Sequence, residues 1–195
     1  MKTIGITGGI GSGKSYVSKL LQKEFGIPVY DCDAEAKRLT ATDKDIRSRL
    51  IELVGSEVFN GKELNRKCLA DYLFADPEHA SKVNAIIHPA VLEDFKRWAE
   101  KQEAKVVAME SAILFESGFN AFVDKVLFVD APEGIRLHRA MLRDTATEAQ
   151  IKARMKMQQP ELHCKQADFI IDNSTADDTR LLAQLDEICR GKLKS

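Results

Sequence analysis

Apolar residues along this chain follow two alternating rhythms. Short runs with little polar interruption, at Lys2–Thr7, Ile27-Pro28-Val29-Tyr30, Lys105–Met109, Lys125–Val129 and Phe169-Ile170-Ile171, read as strands covered on both faces. Between them, apolar positions return every three or four residues, as they do on helices with one buried face. Val17, Leu20, Leu21 and Phe25 form the first such set, and Leu181, Leu182, Leu185 and Ile188 the last. From Thr42 to Gln102 the pattern is almost wholly helical, through Ile46, Leu50, Leu53 and Val54, then Leu69, Leu73 and Phe74, then Val91, Leu92, Phe95, Trp98 and Ala99. Gly55, Gly61, Pro77 and Pro89 punctuate that stretch. Asp130-Ala131-Pro132 ends the fourth strand, and residues 133–158 form two charged helices broken near Thr145. Strands separated by helices predict an α/β fold, a five-stranded parallel sheet flanked by helices. The helical insertion after the second strand exceeds what a crossover needs, and we expect it to form the wall that selects a second substrate.

Composition narrows the function classes. A chain of 195 residues can bury one substantial core with an insertion or lid, and is too short for a motor or multidomain ATPase. Its 29 lysines and arginines balance 30 aspartates and glutamates, so no global field draws it to nucleic acid or to acidic membrane. The first strand opens almost at Met1 and no apolar run reaches the length of a membrane span, which predicts a cytoplasmic protein without a membrane partner. Cys32, Cys68, Cys164 and Cys189 stand far apart with no C-x-x-C pair, the pattern of reduced structural thiols. His163 beside Cys164 reads as incidental, not as a metal site.

The strongest chemical signal is Gly8-Gly9-Ile10-Gly11-Ser12-Gly13-Lys14-Ser15, of the form G-x-x-x-x-G-K-S, placed between a strand and a helix. Glycines let backbone N–H groups turn inward around phosphate oxygens; Lys14 adds a point charge and Ser15 an oxygen for Mg²⁺. At ordinary residue frequencies a chance match in a chain this long is on the order of one per cent, so an incidental glycine-rich turn explains it poorly. The chain is expected to hold a nucleoside triphosphate.

In an open parallel sheet, ligands lie beyond the carboxyl ends of the strands. Asp31 and Asp33 follow the second strand, Glu110 the third, Asp130 the fourth, and Asp172 and Asn173 the fifth. Asp33 has two readings: a base that accepts a proton from an attacking hydroxyl, or the N-cap of a helix beginning at Ala34. One residue can do both. Glu110 reads either as a holder of Mg²⁺-bound water or as a polar residue where the sheet meets solvent. Arg136, Arg139 and Arg143 share a helical face through i, i+3, i+7 spacing, with Asp144 beside the last. On a helix that follows a strand of a phosphate-binding fold, we read them as a lid over the triphosphate. Arg66 and His88-Pro89 carry no specific signature of their own.

The chain resembles the dephospho-CoA kinase family of P-loop kinases over nearly its whole length. Beyond Gly5–Ser15, the resemblance rests on Asp31-x-Asp33 with Ala36, on Leu64-Asn65-Arg66 and on Ile87-His88-Pro89. It extends to Leu114–Gly118, Val129–Pro132, Arg139-x-x-x-Arg143-Asp144, Ala167-Asp168 and Ile171-Asp172-Asn173. What it implies is a P-loop kinase fold of residues 1–195 with a helical substrate-binding insertion and a helical lid. In that scheme 1–32, 103–132 and 166–195 form the nucleotide-binding core, 33–102 the acceptor region and 133–165 the lid. The implied reaction is ATP-dependent phosphorylation of the ribose 3′-hydroxyl of dephospho-CoA, by a monomer or weak homo-oligomer that needs no nucleic acid.

The resemblance also implies roles. Lys14, Asp33 and Arg139 would be catalytic. Gly9, Gly11, Ser12, Gly13, Lys14, Ser15, Tyr16, Arg139 and Arg143 would contact ATP, with Asn173 near its adenine end. Ser15 would ligate Mg²⁺, and Asp33, Lys37, Arg66 and His88 would contact the acceptor. Some positions depart from the family pattern: Tyr16 stands where threonine is common, Cys32 for alanine, Lys37 for arginine, Glu110 and Ala112 for Asp and Pro, and Arg136 for glutamine. Lys37 keeps the charge and gives up bidentate phosphate binding.

Other functions compatible with the loop are a different small-molecule or nucleoside monophosphate kinase, a GTP-dependent switch, and a nucleotide-binding protein without catalysis. The switch would carry N-K-x-D and D-x-x-G motifs, and the sequence has neither. The last reading leaves Asp33 and the lid arginines without employment.

Overall fold

The computed structural model describes residues 1–175 and 177–192; positions 176 and 193–195 of the expected 166–195 core segment lie outside the described residues. In chain order the elements are β1 (Lys2–Thr7), α1 (Lys14–Phe25), β2 (Val29–Asp31), α2 (Cys32–Thr42) and α3 (Lys44–Val54). There follow the two-residue strands β3 (Phe59–Asn60) and β4 (Glu63–Leu64), then α4 (Arg66–Ala75), α5 (Pro77–Glu100), β5 (Val106–Glu110) and β6 (Lys125–Asp130). The last are α6 (Glu133–Arg143), α7 (Glu148–Lys156), α8 (Pro160–Gln166), β7 (Phe169–Asp172) and α9 (Asp178–Asp186), which runs into a π turn over Glu187–Lys192. The chain divides into two compact units, Met1–Tyr30 with the chain from Gln102 onward, and Asp31–Lys101.

Among the described residues of the first unit, the sheet has five parallel strands in the order β2-β5-β1-β6-β7. β1 is central: Lys2 pairs with Val106 on one side and Ile4 with Lys125 on the other. Aliphatic side chains pointing off β1, β6 and β7 (Ile4, Ile6, Leu127, Val129, Ile171) meet Val17, Leu20 and Leu21 of α1 and Leu181 and Leu185 of α9 in one buried cluster. All the predicted strands are present. The second begins at Val29, not Ile27, because Pro28 has no N–H for a ladder; its carbonyl still accepts from Ala108 N at 2.8 Å. α8 was not predicted, since its seven residues carry too short an apolar pattern to read.

The edge strand β7 is stitched on at its start. Asp168 accepts from Val126 N at 2.9 Å and from Lys125 Nζ at 2.8 Å, while its own N–H donates to Val126 O at 3.0 Å. Burial pulls this carboxyl upward, but the bonds from Lys125 and Val126 prevail and hold it below the usual carboxylate value.

In the second unit α2, α3 and α4 pack on α5, burying Leu39, Ile46, Leu50, Val83, Ile86, Val91 and Phe95. Asp43 caps α3 through Asp45 N and Ile46 N, and Asp76 caps α5 just before Pro77. Two features depart from expectation. Pro89 does not break the helical stretch; it lies inside the 24-residue α5. A proline removes one helical hydrogen bond, and buried Ile86 on one side with Val91 and Phe95 on the other keep the helix seated across it. Gly61 turns a small antiparallel hairpin, β3–β4, too short to show a period of two. Arg47 anchors it, with Nη2 donating to Gly61 O at 2.5 Å and the guanidinium 4.2 Å above the Phe59 ring.

Among the described residues no helix is long and apolar enough to cross a membrane, and all four cysteines are free thiols. Burial pushes Cys189 up to about 11, which makes it a poor nucleophile.

Because the folded Asp168 carboxyl lies below its unfolded value, the stabilisation it gives is present above that unfolded value and is lost as pH falls through the folded one. Asp168→Asn is expected to unfold at lower urea than wild type near neutrality. Urea midpoints measured across pH check this: the gap should close below about pH 4, and a gap independent of pH contradicts the assignment.

Candidate active site

The glycine-rich segment leaves β1 after Thr7 and enters α1 at Lys14. Gly13, at φ 96°, is the left-handed N-cap of α1, and its carbonyl accepts from Tyr16 N and Val17 N at 3.0 Å each. A side chain there would strike the Asn173 amide; at Gly11, at φ 76°, it would strike the Arg136 carbonyl. The loop is closed on itself by Ser12 N to Gly9 O at 3.1 Å, and is tethered by Ile10 N to Gln158 Oε1 at 2.8 Å. Lys14 Nζ donates to Gly8 O at 2.8 Å and to Gly9 O at 3.2 Å. Such a cradle, at a helix N-terminus with an ammonium inside it, fits a phosphate chain.

Asn173 has a central place. Its side chain, in a residue only 6% exposed, donates to Ser12 O at 2.7 Å. Its N–H donates to Asp130 O at 2.8 Å, and its carbonyl accepts from Arg139 Nη1 at 2.8 Å. A residue expected at the adenine end of the nucleotide is thus packed against the phosphate-binding loop itself. Tyr16 donates its hydroxyl to Asp178 Oδ1 at 2.7 Å, a bond that raises the phenol pKa. With Gly13, Arg139, Asn173 and Thr175 it bounds a cavity of about 340 Å³.

The three α6 arginines part company. Arg136 is buried. Arg139 reaches Asn173, and Arg143 is exposed and grips Asp144 at 2.8 and 3.4 Å, with Arg154 adding a third bond at 3.1 Å. Arg143, then Arg154, hold the Asp144 carboxyl below its usual value. Ser15 Oγ donates to Glu110 Oε1 at 2.8 Å, so two oxygens expected from sequence to serve a metal are adjacent.

The second unit holds its own pocket of about 830 Å³, where Asp33, Lys37, Lys62 and Arg66 line a wall completed by Thr40, Leu64, Leu69 and Ile87. The capping duty considered for Asp33 falls to Asp31, whose Oδ1 accepts from Asp33 N and Ala34 N at 3.0 Å each. Asp33 is instead in the first turn of α2. His88 is not among the residues lining this pocket; it is half-buried in α5, and burial lowers its pKa. Sequence reasoning missed two residues. Lys62 could have been found from the Asn60-Gly61 turn signal that places it on a hairpin, whereas Gln158 carried no signal, because its partner is a backbone N–H on a loop far away in sequence.

A profile of the dephospho-CoA kinase family matches residues 2–178. The chain belongs to the dephospho-CoA kinase family. It is 52% identical to a dephospho-CoA kinase of Bacteroides fragilis over 87% of this chain and 83% of that protein. Against the one from Porphyromonas gingivalis it is 48% identical, over 83% and 79%. Among solved structures, a Thermus thermophilus protein superposes with a TM-score of 0.82 at 34% identity, covering 99% of this chain and 96% of that one. Dephospho-CoA kinase from Campylobacter jejuni gives 0.68 at 25%, covering 98% and 100%. A shikimate kinase from Bacteroides thetaiotaomicron, at 12% identity and a TM-score of 0.59 over 100% and 99% of the two chains, shares the fold alone.

Replacing Asn173 by Ala removes the donor to the buried Ser12 carbonyl, a loss of about 1–3 kcal/mol. Titration calorimetry is expected to show ADP and inorganic tripolyphosphate weakened alike, by roughly tenfold. Weakening of ADP alone is the result expected if Asn173 contacts the base.

Proposed function

We propose that the chain transfers the γ-phosphoryl group of ATP to the ribose 3′-hydroxyl of dephospho-CoA, giving coenzyme A and ADP, the last step of coenzyme A synthesis. The observation that carries the acceptor half is the pocket that gathers Asp33 with Lys37 and Arg66. Dephospho-CoA brings a nucleophilic hydroxyl and a pyrophosphate, and a pocket lined by Asp33 and Glu63 together with the cations Lys37, Lys62 and Arg66 suits both. In this reading Asp33 takes the hydroxyl proton as the oxygen attacks the γ-phosphorus. The new O–P bond forms while the bond from that phosphorus to the β-γ bridging oxygen breaks, and ADP departs with the electron pair. Support for Asp33 as base comes from Asp31, which already caps α2. Lys37 and Arg66 hold the acceptor's diphosphate, and His88, neutral at pH 7 because burial lowers its pKa, helps to shape the acceptor region.

On the donor side, Lys14 moves from the Gly8 and Gly9 carbonyls onto the phosphates, which the loop amides other than Ile10 N, Ser12 N and Tyr16 N surround. Arg139 stabilises charge that develops on the transferred group, and Arg143 joins it from Asp144. Ser15 and Glu110 offer the all-oxygen donor set that Mg²⁺ prefers. Mg²⁺ when bound would offset charge on the β- and γ-phosphates. Few protein ligands are needed, since this ion keeps waters and takes substrate oxygens.

In a coupled ADP-release assay, Asp33→Asn is expected to lower turnover of dephospho-CoA by about 10²-fold or more, with ADP affinity nearly intact. A loss of only a few fold makes Asp33 an orienting group. Turnover by the wild type with shikimate or a nucleoside monophosphate, and none with dephospho-CoA, overturns the acceptor assignment.

A further inference from the structure

Arg136 stands on α6 three residues before Arg139, yet it faces the opposite problem from a lid residue. It is 8% exposed and turned in beneath the phosphate-binding loop. Its Nε donates to Ala131 O at 3.0 Å, while its Nη1, wholly buried, has no hydrogen-bond partner among the described residues. That nitrogen lies where a side chain at Gly9 would be, and the Arg136 carbonyl lies where one at Gly11 would be. The loop is therefore wrapped directly on this residue. Gly9 also accepts from Lys14 Nζ. Two cations thus adjoin the same short segment. Lys14 has carbonyl oxygens to hold it, but a buried guanidinium with an unmet donor is a costly arrangement unless an anion comes near. A glutamine would be neutral at this position.

We propose that Arg136 is a positioning residue for the phosphate-binding loop, which holds Gly9–Gly11 in shape and supplies from behind the loop a positive charge that nucleotide phosphates offset. The empty protein then carries an uncompensated charge in its interior, and the loaded protein does not. Arg136 so links occupancy of the loop to the stability of the unit more strongly than a neutral residue can.

The test compares wild type with Arg136→Gln and Arg136→Lys, by thermal unfolding with and without ADP and by calorimetric titration of ADP and of inorganic tripolyphosphate. For Arg136→Gln the expected result is an unfolding temperature, when empty, equal to or above that of wild type. Its affinity for both ligands should be about tenfold weaker, and the rise in unfolding temperature on adding ADP should be smaller. Arg136→Lys, which keeps the charge, should bind within about threefold of wild type. An empty Arg136→Gln protein that melts earlier yet binds ADP as wild type does reduces Arg136 to a packing residue and overturns the proposal. Equal weakening by Gln and Lys overturns it too, because charge then plays no part. The inference rests on the loop's holding nucleotide; if that reading failed, wild type itself would not bind ADP.

Discussion

One hydrogen bond, from the Asn173 side-chain amide to the Ser12 carbonyl, joins residues 161 apart in sequence and closes the phosphate-binding loop from the last strand of the sheet. The loop has few side chains of its own with which to hold its shape. Its glycines contribute no side chains, and the spaces beside Gly11 and Gly13 are filled by Arg136 and Asn173. Backbone groups meant for a ligand cannot also be satisfied permanently by protein, so the segment must be supported from outside, at carbonyls and at amides that face away from the ligand. Ser12 O, Ile10 N and the Gly8 and Gly9 carbonyls are the points where that support is applied. Each supporting group comes from a different stretch of chain: Asn173 just after β7, Gln158 between α7 and α8, and Lys14 from the first turn of α1.

The arginines of α6 show why spacing on a helix does not settle what charges do. Positions 136, 139 and 143 fall on one side of a helical wheel, yet one is interior, one is tied to the Asn173 carbonyl and one is at the surface with Asp144 and Arg154. A helix that rises from the sheet passes through a gradient of solvent within two turns. Charges three or four residues apart therefore meet different dielectric surroundings, and the same guanidinium group serves support at one end of the helix and contact with solvent at the other.

Much of the fold was legible because burial on two faces leaves uninterrupted apolar strands, and burial on one face leaves a three-to-four periodicity. Lys2–Thr7, Lys125–Asp130 and the α1 set Val17, Leu20 and Leu21 carry those signals without ambiguity. The errors fall where tertiary packing overrides a local rule. Pro89 is tolerated because apolar contacts on both sides of it hold α5 in place, and the β3–β4 hairpin depends on Arg47, which is remote in sequence from Gly61. In the site, residue types were legible and their duties were less so. Asp31 and Asp33 are chemically equivalent in the sequence; only the backbone geometry at the start of α2 gives the capping bonds to the first. Gln158 could not be found, since nothing in its neighbourhood records that it will meet Ile10 N.

The central position of β1 has a temporal meaning. It is the first strand to leave the ribosome, but its partners, Val106 at Lys2 and Lys125 at Ile4, are over a hundred residues behind it, and Asn173 is later still. By contrast, the 31–101 unit is continuous in sequence and finds its contacts among near neighbours as it emerges. The glycine motif, although made before its partners, thus waits for Asn173 before its support is complete. A product that stops short of Asn173 carries the signature of a nucleotide site without the bond that closes it.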